Sequence, residues 1–345
     1  CRVISLTDNG PIGEKLTNIG IPIIVVGLNS KKSIWDGISC IFKELQANKP
    51  AIIQTWMYHS DLLGGLVAKT LKGIRVVWGI HNSTLDLSKS KKSTRLVVRI
   101  NAFLSHFLPD RIIVCSRVAE RIHTQKGFDE NRMVFIPNGF DLSEYRADAQ
   151  ACAKVRNELG IASADIVVGM AARFDPQKDH DTLLLAASEL LKKFPYLHFV
   201  LCGDGVTWDN ADIVSMIEST KKSHFHLLGR RNDMPEIYAS WNIATLSSKY
   251  GEAFPLAIGE AMACEIPCVG TDVGDTSDLI GKTGYTVPPE APSLLADAIA
   301  KLISLPSKER SNLGKLAREQ ILSNYEISQI TKKYQEVWKE AASKL

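Results

Sequence analysis

Short apolar runs recur along this chain, and a segment of helical spacing separates each from the next. In the first half the runs read near residues 2–6, 22–28, 51–56, 75–80, 111–116 and 133–136. In the second half they read near 166–171, 198–202, 224–228, 243–247, 268–270 and 284–287. Lysine-bearing helical stretches at 34–46 and 62–71 fill two of the gaps. A helix between successive strands returns the chain over one face of the sheet, so the strands lie parallel and the pattern predicts an α/β fold. With 345 residues, 45% of them hydrophobic, the chain can build two such domains with a core each. Pro137-Asn-Gly139 signals a turn, and a helix rich in Ala, Arg and Glu begins only after Asp148. The expected division is therefore 1–148, 149–325 and a helical tail at 326–345. The tail's Ile330, Tyr334, Val337, Trp338 and Ala341 recur at helical spacing.

In open α/β sheets ligands sit beyond the carboxyl ends of the strands. Two such ends carry charge. Asp165-Ile-Val-Val-Gly-Met-Ala-Ala-Arg173 reads as a buried strand closing on an arginine, and Lys178 follows five residues on. A guanidinium and an ammonium there suit a diphosphate, and both side chains are expected to line an open cleft. A solvated basic turn is the plain alternative. The run from Trp241 to Ser248 leads into Glu252-Ala-Phe-Pro-Leu-Ala-Ile-Gly-Glu260. A helix is expected from Pro255, since proline suits the first helical position. Its free amides and positive dipole end suit a phosphate. A carboxylate accepts hydrogen bonds but repels phosphate, so sugar hydroxyls are the natural partners of the two glutamates. Two solvated glutamates on an amphipathic helix are the plain alternative.

Taken together and in order, these residues carry a family resemblance. Ala172-Arg173…Gln177-Lys178-Asp179-His180, Gly203-Asp204-Gly205, and Glu252-x7-Glu260 with Ala263-Cys-Glu-Ile-Pro267 resemble the signature of glycosyltransferase family 4 (group 1). Upstream, Gln54-Thr-Trp-Met-Tyr-His59, Trp78-Gly-Ile-His81-Asn82 and Ile136-Pro-Asn-Gly-Phe-Asp141 are similar to the subgroup that builds capsule and O-antigen (lipopolysaccharide) chains. The resemblance spans nearly the whole sequence. It implies the GT-B architecture: two Rossmann-like domains facing each other across a cleft, with a C-terminal helix returning to the first. It implies a retaining transferase moving a hexosyl or N-acetylhexosaminyl group from a nucleotide-diphosphate sugar, a UDP-sugar in expectation, to a glycan or lipid-linked glycan.

The resemblance also distributes roles. Arg173, Lys178, Glu252 and His81 stand in the catalytic set. Glu260 (ribose), Phe254, Pro255, Leu256, Gly203, Asp204, Gly205 and Arg230 stand on the donor side, Phe254 and Leu256 through their amides. Tyr58 and His59 stand on the acceptor side. No cofactor and no metal are implied, because protein groups carry the diphosphate charge. One departure is Ala253, where the family usually has Gly after the first glutamate; a positive φ there would strain alanine. A UDP-sugar epimerase of the same fold, a non-catalytic sugar-nucleotide-binding subunit and a glycan-binding module are the rival readings. The charged cluster argues against the last two.

Other features have plainer uses. Asp179-His-Asp181 imitates an Asp-x-Asp metal motif, but an aspartate opening a helix is a common cap. Cys264 and Cys268 lack a second ligand pair for zinc. The seven scattered cysteines, an odd set, suit a reducing cytosol. A net charge of +3 and the lack of any module signature argue against nucleic acid as a partner. No apolar run reaches the ~18 residues of a membrane span. Lys89, Lys91, Lys92, Arg95 and Arg99, mixed with Leu96, Val97, Ile100, Phe103, Leu104 and Phe107, suit either an anionic membrane surface or a solvated basic helix face. The expected location is cytoplasmic, peripheral at the inner face of the plasma membrane where the acceptor is lipid-linked. The chain opens inside an apolar run at Cys1 rather than Met. The expectation is that a further strand and glycine-rich loop precede it, and that without them the first sheet has an unpaired edge or an apolar groove.

Overall fold

The structure, a computed structural model, describes residues 1–28, 33–83 and 92–343. All the strand ladders it shows are parallel, as the alternation requires. The first domain runs β1 (Val3–Ser5), α1 (Gly10–Asn18), β2 (Ile23–Val25), α2 (Ile34–Asn48), β3 (Ile52–Gln54), α3 (Tyr58–Lys69), β4 (Arg75–Ile80), α4 (Lys92–Leu104), β5 (Arg111–Val114), α5 (Arg117–Gln125) and β6 (Met133–Phe135). Strands β3-β4-β5-β6 form one sheet in that order, while β1 and β2 pair separately. Helix α3 begins at Tyr58, ahead of the apolar spacing that marks 62–71, because its first turn is polar and the sharp bend is made by Met57 at φ 71°, ψ 159°. Lys89 and Lys91 of the basic stretch lie outside the described residues.

The second domain runs α6 (Ala149–Leu159), β7 (Ile166–Ala171), α7 (His180–Lys193), β8 (Leu197–Cys202), α8 (Ala211–Ser215), β9 (Phe225–Leu227), α9 (Met234–Ala239), β10 (Ile243–Leu246), α10 (Leu256–Ala263), β11 (Cys268–Thr271), α11 (Thr276–Ile280), β12 (Tyr285–Val287), α12 (Pro292–Ser304) and α13 (Ser307–Asn324). Asp148 opens it by accepting from the amides of Gln150 and Ala151, both at 2.9 Å. The six strands lie in the order β9-β8-β7-β10-β11-β12. The chain therefore winds outward from β7 in one direction, then returns to the centre at β10 and winds the other way. That is the doubly wound Rossmann topology. Central strand β7 is buried from Ile166 to Met170, which explains its unbroken apolar run.

The last helix, α14 (Ile327–Ala342), returns to the first domain. Side chains alternate across a strand, so β4 and β5 present two apolar faces. Val76, Trp78, Ile80, Ile112 and Val114 meet the core that holds Ile41, Val67 and Val98. Val77 and Ile113 point the other way and are covered by Ile330, Val337 and Ala341 of α14. Trp338 Nε1 donates to Gln54 Oε1 at 3.0 Å and Arg111 pairs with Glu340. The two chain crossings run side by side: Phe140 N donates to Tyr325 O at 2.8 Å, and Ile327 N to Phe140 O at 3.0 Å. Gly259 of α10 makes room for the Phe140 ring, since a Cβ there would fall 1.9 Å from it.

Candidate active site

The sheet reverses between β7 and β10, so the loops leaving those two strands stand at the topological switch point, where open α/β sheets bind their ligands. Each loop brings one charged side chain into it. Lys178 Nζ, from the β7 loop, donates to Glu252 Oε1, from the β10 loop, across 74 residues of sequence. Ser248 Oγ donates to the same oxygen at 2.6 Å, so Oε2 remains for another donor. The pair is largely enclosed, with side-chain exposures of 16% and 9%. Backbone contacts stitch the loops beneath it: Ser247 Oγ donates to the carbonyls of Lys178 and Asp179 at 3.0 and 2.8 Å, and Lys249 N to Gln177 O at 2.8 Å. Arg173 lies outside this enclosure, 55% exposed, with Nε 3.3 Å from Asp175 Oδ2. Burial raises the Asp175 pKa, but hydrogen bonds from Gln177 N and Arg173, with the Lys178 charge, outweigh it and hold the carboxyl below its ordinary value. Arg173 thus fits the expectation of an open-cleft side chain, and Lys178 does not. It is sequestered because Glu252 neutralises it.

The second glutamate stands farther along α10. Glu260 Oε2 accepts from Tyr238 Oη at 2.8 Å, and Tyr145 also hydrogen-bonds the carboxyl. The two rings meet edge to face, 6.0 Å apart. Burial raises the Glu260 pKa, the two tyrosine hydrogen bonds lower it in part, and nearby Glu144 raises it further, leaving it above its ordinary value. Helix α10 starts at Leu256, with Pro255 extended at φ −76°, ψ 97° as the cap. The proline therefore stands one place before the expected first helical position, since that ψ lies outside the helical range. The first-turn amides, from Leu256 on, have no carbonyl four residues back within the helix to receive them.

The first domain meets this site at the end of β4. Ser83 Oγ donates to the backbone carbonyl of Glu252, joining the two domains at the site itself. His81, two residues earlier, tilts against Trp56 with ring centroids 4.9 Å apart. Burial lowers the His81 pKa against the opposing hydrogen bond of Asn138, and its Nε2 is buried without a partner. Phe254 packs between Phe140 and Tyr325, at 6.0 and 5.3 Å, so the paired crossings lie directly beside the Glu252 loop.

The family model for glycosyl transferases group 1 matches residues 153–320, and that for glycosyltransferase family 4 matches residues 1–144. The chain belongs to glycosyltransferase family 4, group 1. It is 25% identical over 280 residues to the Escherichia coli UDP-Gal:alpha-D-GlcNAc-diphosphoundecaprenol alpha-1,3-galactosyltransferase, a match covering 79% of this chain and 72% of the relative. It is 23% identical over 287 residues to the Bacillus anthracis N-acetyl-alpha-D-glucosaminyl L-malate synthase, covering 79% and 70%. Among solved structures, Anabaena HepE in complex with UDP superposes with a TM-score of 0.85 at 21% identity, over 98% of this chain and 92% of its own. Sucrose-phosphate synthase from Thermosynechococcus elongatus does so at 0.78 and 18% identity, over 100% and 99%. The architecture is GT-B.

Within this glycosyltransferase the remaining expected residues stand in different places. Gly203, Asp204 and Gly205 lace the sheet's carboxyl edge. Phe174 N donates to Asp204 O at 2.7 Å and Gly203 N to Gly229 O at 2.8 Å. Gly203, at φ 150°, tolerates no side chain, because a Cβ would lie 2.1 Å from Ala172 O. Arg230 and His59 are exposed. Beside Arg230, Arg231 is the arginine tied down, to Glu158 and Asp233 at 2.7 Å each.

One further expectation changes. Tyr58 does not face the cleft: it is the first residue of α3, 3% exposed, and its hydroxyl donates to His123 Nε2 at 2.8 Å. The direction is fixed because His123 Nδ1 is 2.7 Å from Ala119 O and must carry the proton. The Phe254 ring serves the crossings. Ala253 is absent from the residues of positive φ, so the alanine brings no backbone strain. Asp179 caps α7, accepting from Thr182 N and Oγ1 at 3.2 and 2.6 Å and lying 3.4 Å from Lys249 Nζ, while Asp181 is exposed. Among the described residues no three His, Cys, Asp or Glu side chains gather as metal ligands. Ser83, Ser248, Tyr145 and Tyr238 were not marked by any local pattern. Tyr238 and Ser83 reach the two glutamates from 22 and 169 residues away.

Proposed function

We propose that this chain transfers a hexosyl or N-acetylhexosaminyl group from a UDP-sugar, with retention of anomeric configuration, to a glycan or lipid-linked glycan of a surface polysaccharide. The observation that carries this reading is the Lys178–Glu252 pair at the sheet's switch point, with Arg173 at its rim and the open start of α10 beside it. The donor's diphosphate draws Lys178 Nζ away from Glu252, and Arg173 and the α10 amides complete its charge balance. Glu252 and the unpartnered His81 Nε2 then face the transferred sugar's hydroxyls, and Glu260 the ribose. The bond from the anomeric carbon to the diphosphate breaks, the acceptor oxygen bonds to that carbon from the same face, and the departing phosphate oxygen takes the acceptor's proton. No side-chain nucleophile and no metal are assigned. A UDP-sugar donor is supported by the HepE complexes with UDP and UDP-glucose. A lipid-linked acceptor is supported by the E. coli relative, named for a diphosphoundecaprenol substrate.

A membrane-facing first domain is supported by α4. Leu96, Ile100, Phe103 and the following Phe107 are exposed beside Lys92 and Arg99, the composition of an interfacial helix. Among the described residues no helix is long and apolar enough to cross a membrane. The deciding experiment offers UDP-, GDP- and ADP-sugars with lipid-linked glycans and follows nucleotide release and product configuration. Release of UDP with an α-linked product from an α-linked donor supports the reading. A new UDP-sugar with no free UDP makes the chain an epimerase and overturns it.

A further inference from the structure

The domains meet at a second point, on the turn between β11 and α11. Asp275 Oδ2 accepts from Arg117 N at 2.7 Å and Oδ1 from Val118 N at 3.0 Å. These are the first two amides of α5, a first-domain helix, and its third amide, Ala119 N, is taken by Ser116 Oγ at 2.9 Å. Asp275 is only 3% exposed, so a second-domain carboxylate is buried on the positive end of a first-domain helix. The same turn is bound to the site. Asp275 N donates to Ala253 O at 3.0 Å. Gly274 presses so closely on the preceding residue that a Cβ would lie 2.2 Å from Glu252 O. That carbonyl is the one Ser83 holds from the first domain.

We propose that Asp275 is a positioning residue that clasps the two domains shut and fixes the Glu252–Ala253 backbone while doing so. Opening the cleft separates Asp275 from α5 and returns the carboxylate and both amides to water. Closing it brings the end of β4, with His81 and Ser83, against Glu252. Asp275 touches no reacting atom; it acts through the segment it holds. The proposal rests on the transferase reading of the site for its effect on turnover, but not for its effect on closure.

Two substitutions test it from opposite sides. Asp275→Ala removes the acceptor. Arg117→Pro removes one donor amide, at the first helical position where proline is favoured and after an extended Ser116. Arg117→Ala is its control, since it loses the same side chain and keeps the amide. UDP affinity, turnover and the solution-scattering radius with UDP bound are measured for each. The expected result is UDP affinity unchanged throughout, and turnover lowered about tenfold or more by Asp275→Ala, the size of a lost charged hydrogen bond. Arg117→Pro should lower it about threefold or more relative to Arg117→Ala. Both clasp-breaking variants should be more expanded with UDP than the parent. Equal radii in parent and variants overturn the clasp, whether or not the chain transfers sugar. A fall in UDP affinity matching the fall in turnover also overturns it, making Asp275 a part of the donor domain's own fold. If the radii shift as expected but the parent transfers nothing from any sugar nucleotide, the transferase reading fails and the clasp stands.

Discussion

The second domain holds its six strands in one continuous core, from Val155 to Ile321, which Cys115 and Phe140 of the first domain join, and its loops at the site are tied to one another. The first domain divides its strands between two sheets, and its core between the two faces of the larger one. Among the described residues, one of those faces is closed by α14, from the far end of the chain. The first domain also leaves Trp35, Trp56, Phe103 and Phe107 exposed. Interlocked loops therefore lie where, under the proposed function, a nucleotide is gripped, and the most exposed aromatic side chains, Trp35, Phe103 and Phe107, lie on the first domain. Under the proposed function, the two halves should respond differently to substitution.

Lys178→Ala should give the largest effect. Turnover should fall by about 10²-fold or more through loss of a diphosphate partner. The protein should also lose about 3 kcal/mol of stability, because Glu252 is left buried without its cation. Nucleotide release and thermal melts measure the two, and parent-like turnover would remove Lys178 from the site. Arg173→Ala should lower turnover comparably yet leave the melting temperature nearly unchanged, since that side chain is half exposed. If both variants melt alike, the contrast between an enclosed and an open cation is wrong.

Glu260→Gln should weaken UDP binding about tenfold, as expected for a lost charged hydrogen bond. Its stability effect has the opposite sign. The folded-state pKa of Glu260 lies above the ordinary value of 4.5. Its contribution to stability is therefore fully present below that value and is lost as pH rises through the raised folded pKa. At neutral pH the charged carboxylate is a cost, so the glutamine variant should be at least as stable as the parent there and gain nothing under acid. Denaturant melts at both pH values, with calorimetric UDP titration, check this. A variant that is less stable at neutral pH and binds UDP normally would leave Glu260 a structural residue.

Tyr58→Phe, in the first domain, should cost about 1 kcal/mol through the buried bond to His123. The KM for acceptor should not move, and a large rise would put Tyr58 back on the cleft. Excess EDTA should have the smallest effect of all, leaving turnover intact, because the Asp179 carboxylate is committed to Thr182 and Lys249. Loss of turnover restored by Mg²⁺ would call for a metal that Asp179 and Asp181 help to hold.

Much of the fold was legible because strand and cap signals are local. The run from Ile166 to Ala171 is strand β7 residue for residue, and Asp148 caps α6 where the helix was expected to begin. Tyr58 was misplaced because a tyrosine after a strand end reads the same whether it faces a cleft or a core. The first turn of α3 directs it inward to His123, 65 residues away. Ser83 and Asp275 were invisible for a similar reason: a serine and an aspartate near loop ends are ordinary residues until the opposite domain is set against them.

The sequence by itself determined the parallel α/β pattern, the helix caps, and the order of Arg173, Lys178, Glu252 and Glu260 along the chain. Each of these follows from apolar periodicity or from residues only a few positions apart. Tertiary structure alone decided that Lys178 is neutralised by Glu252, that Glu260 is held by two tyrosines, and that Asp275 reaches across to α5. Those facts depend on which loops the reversal between β7 and β10 brings together and on how the two domains close. Contacts between residues far apart in sequence are set by packing, and they leave no mark on the residues beside them.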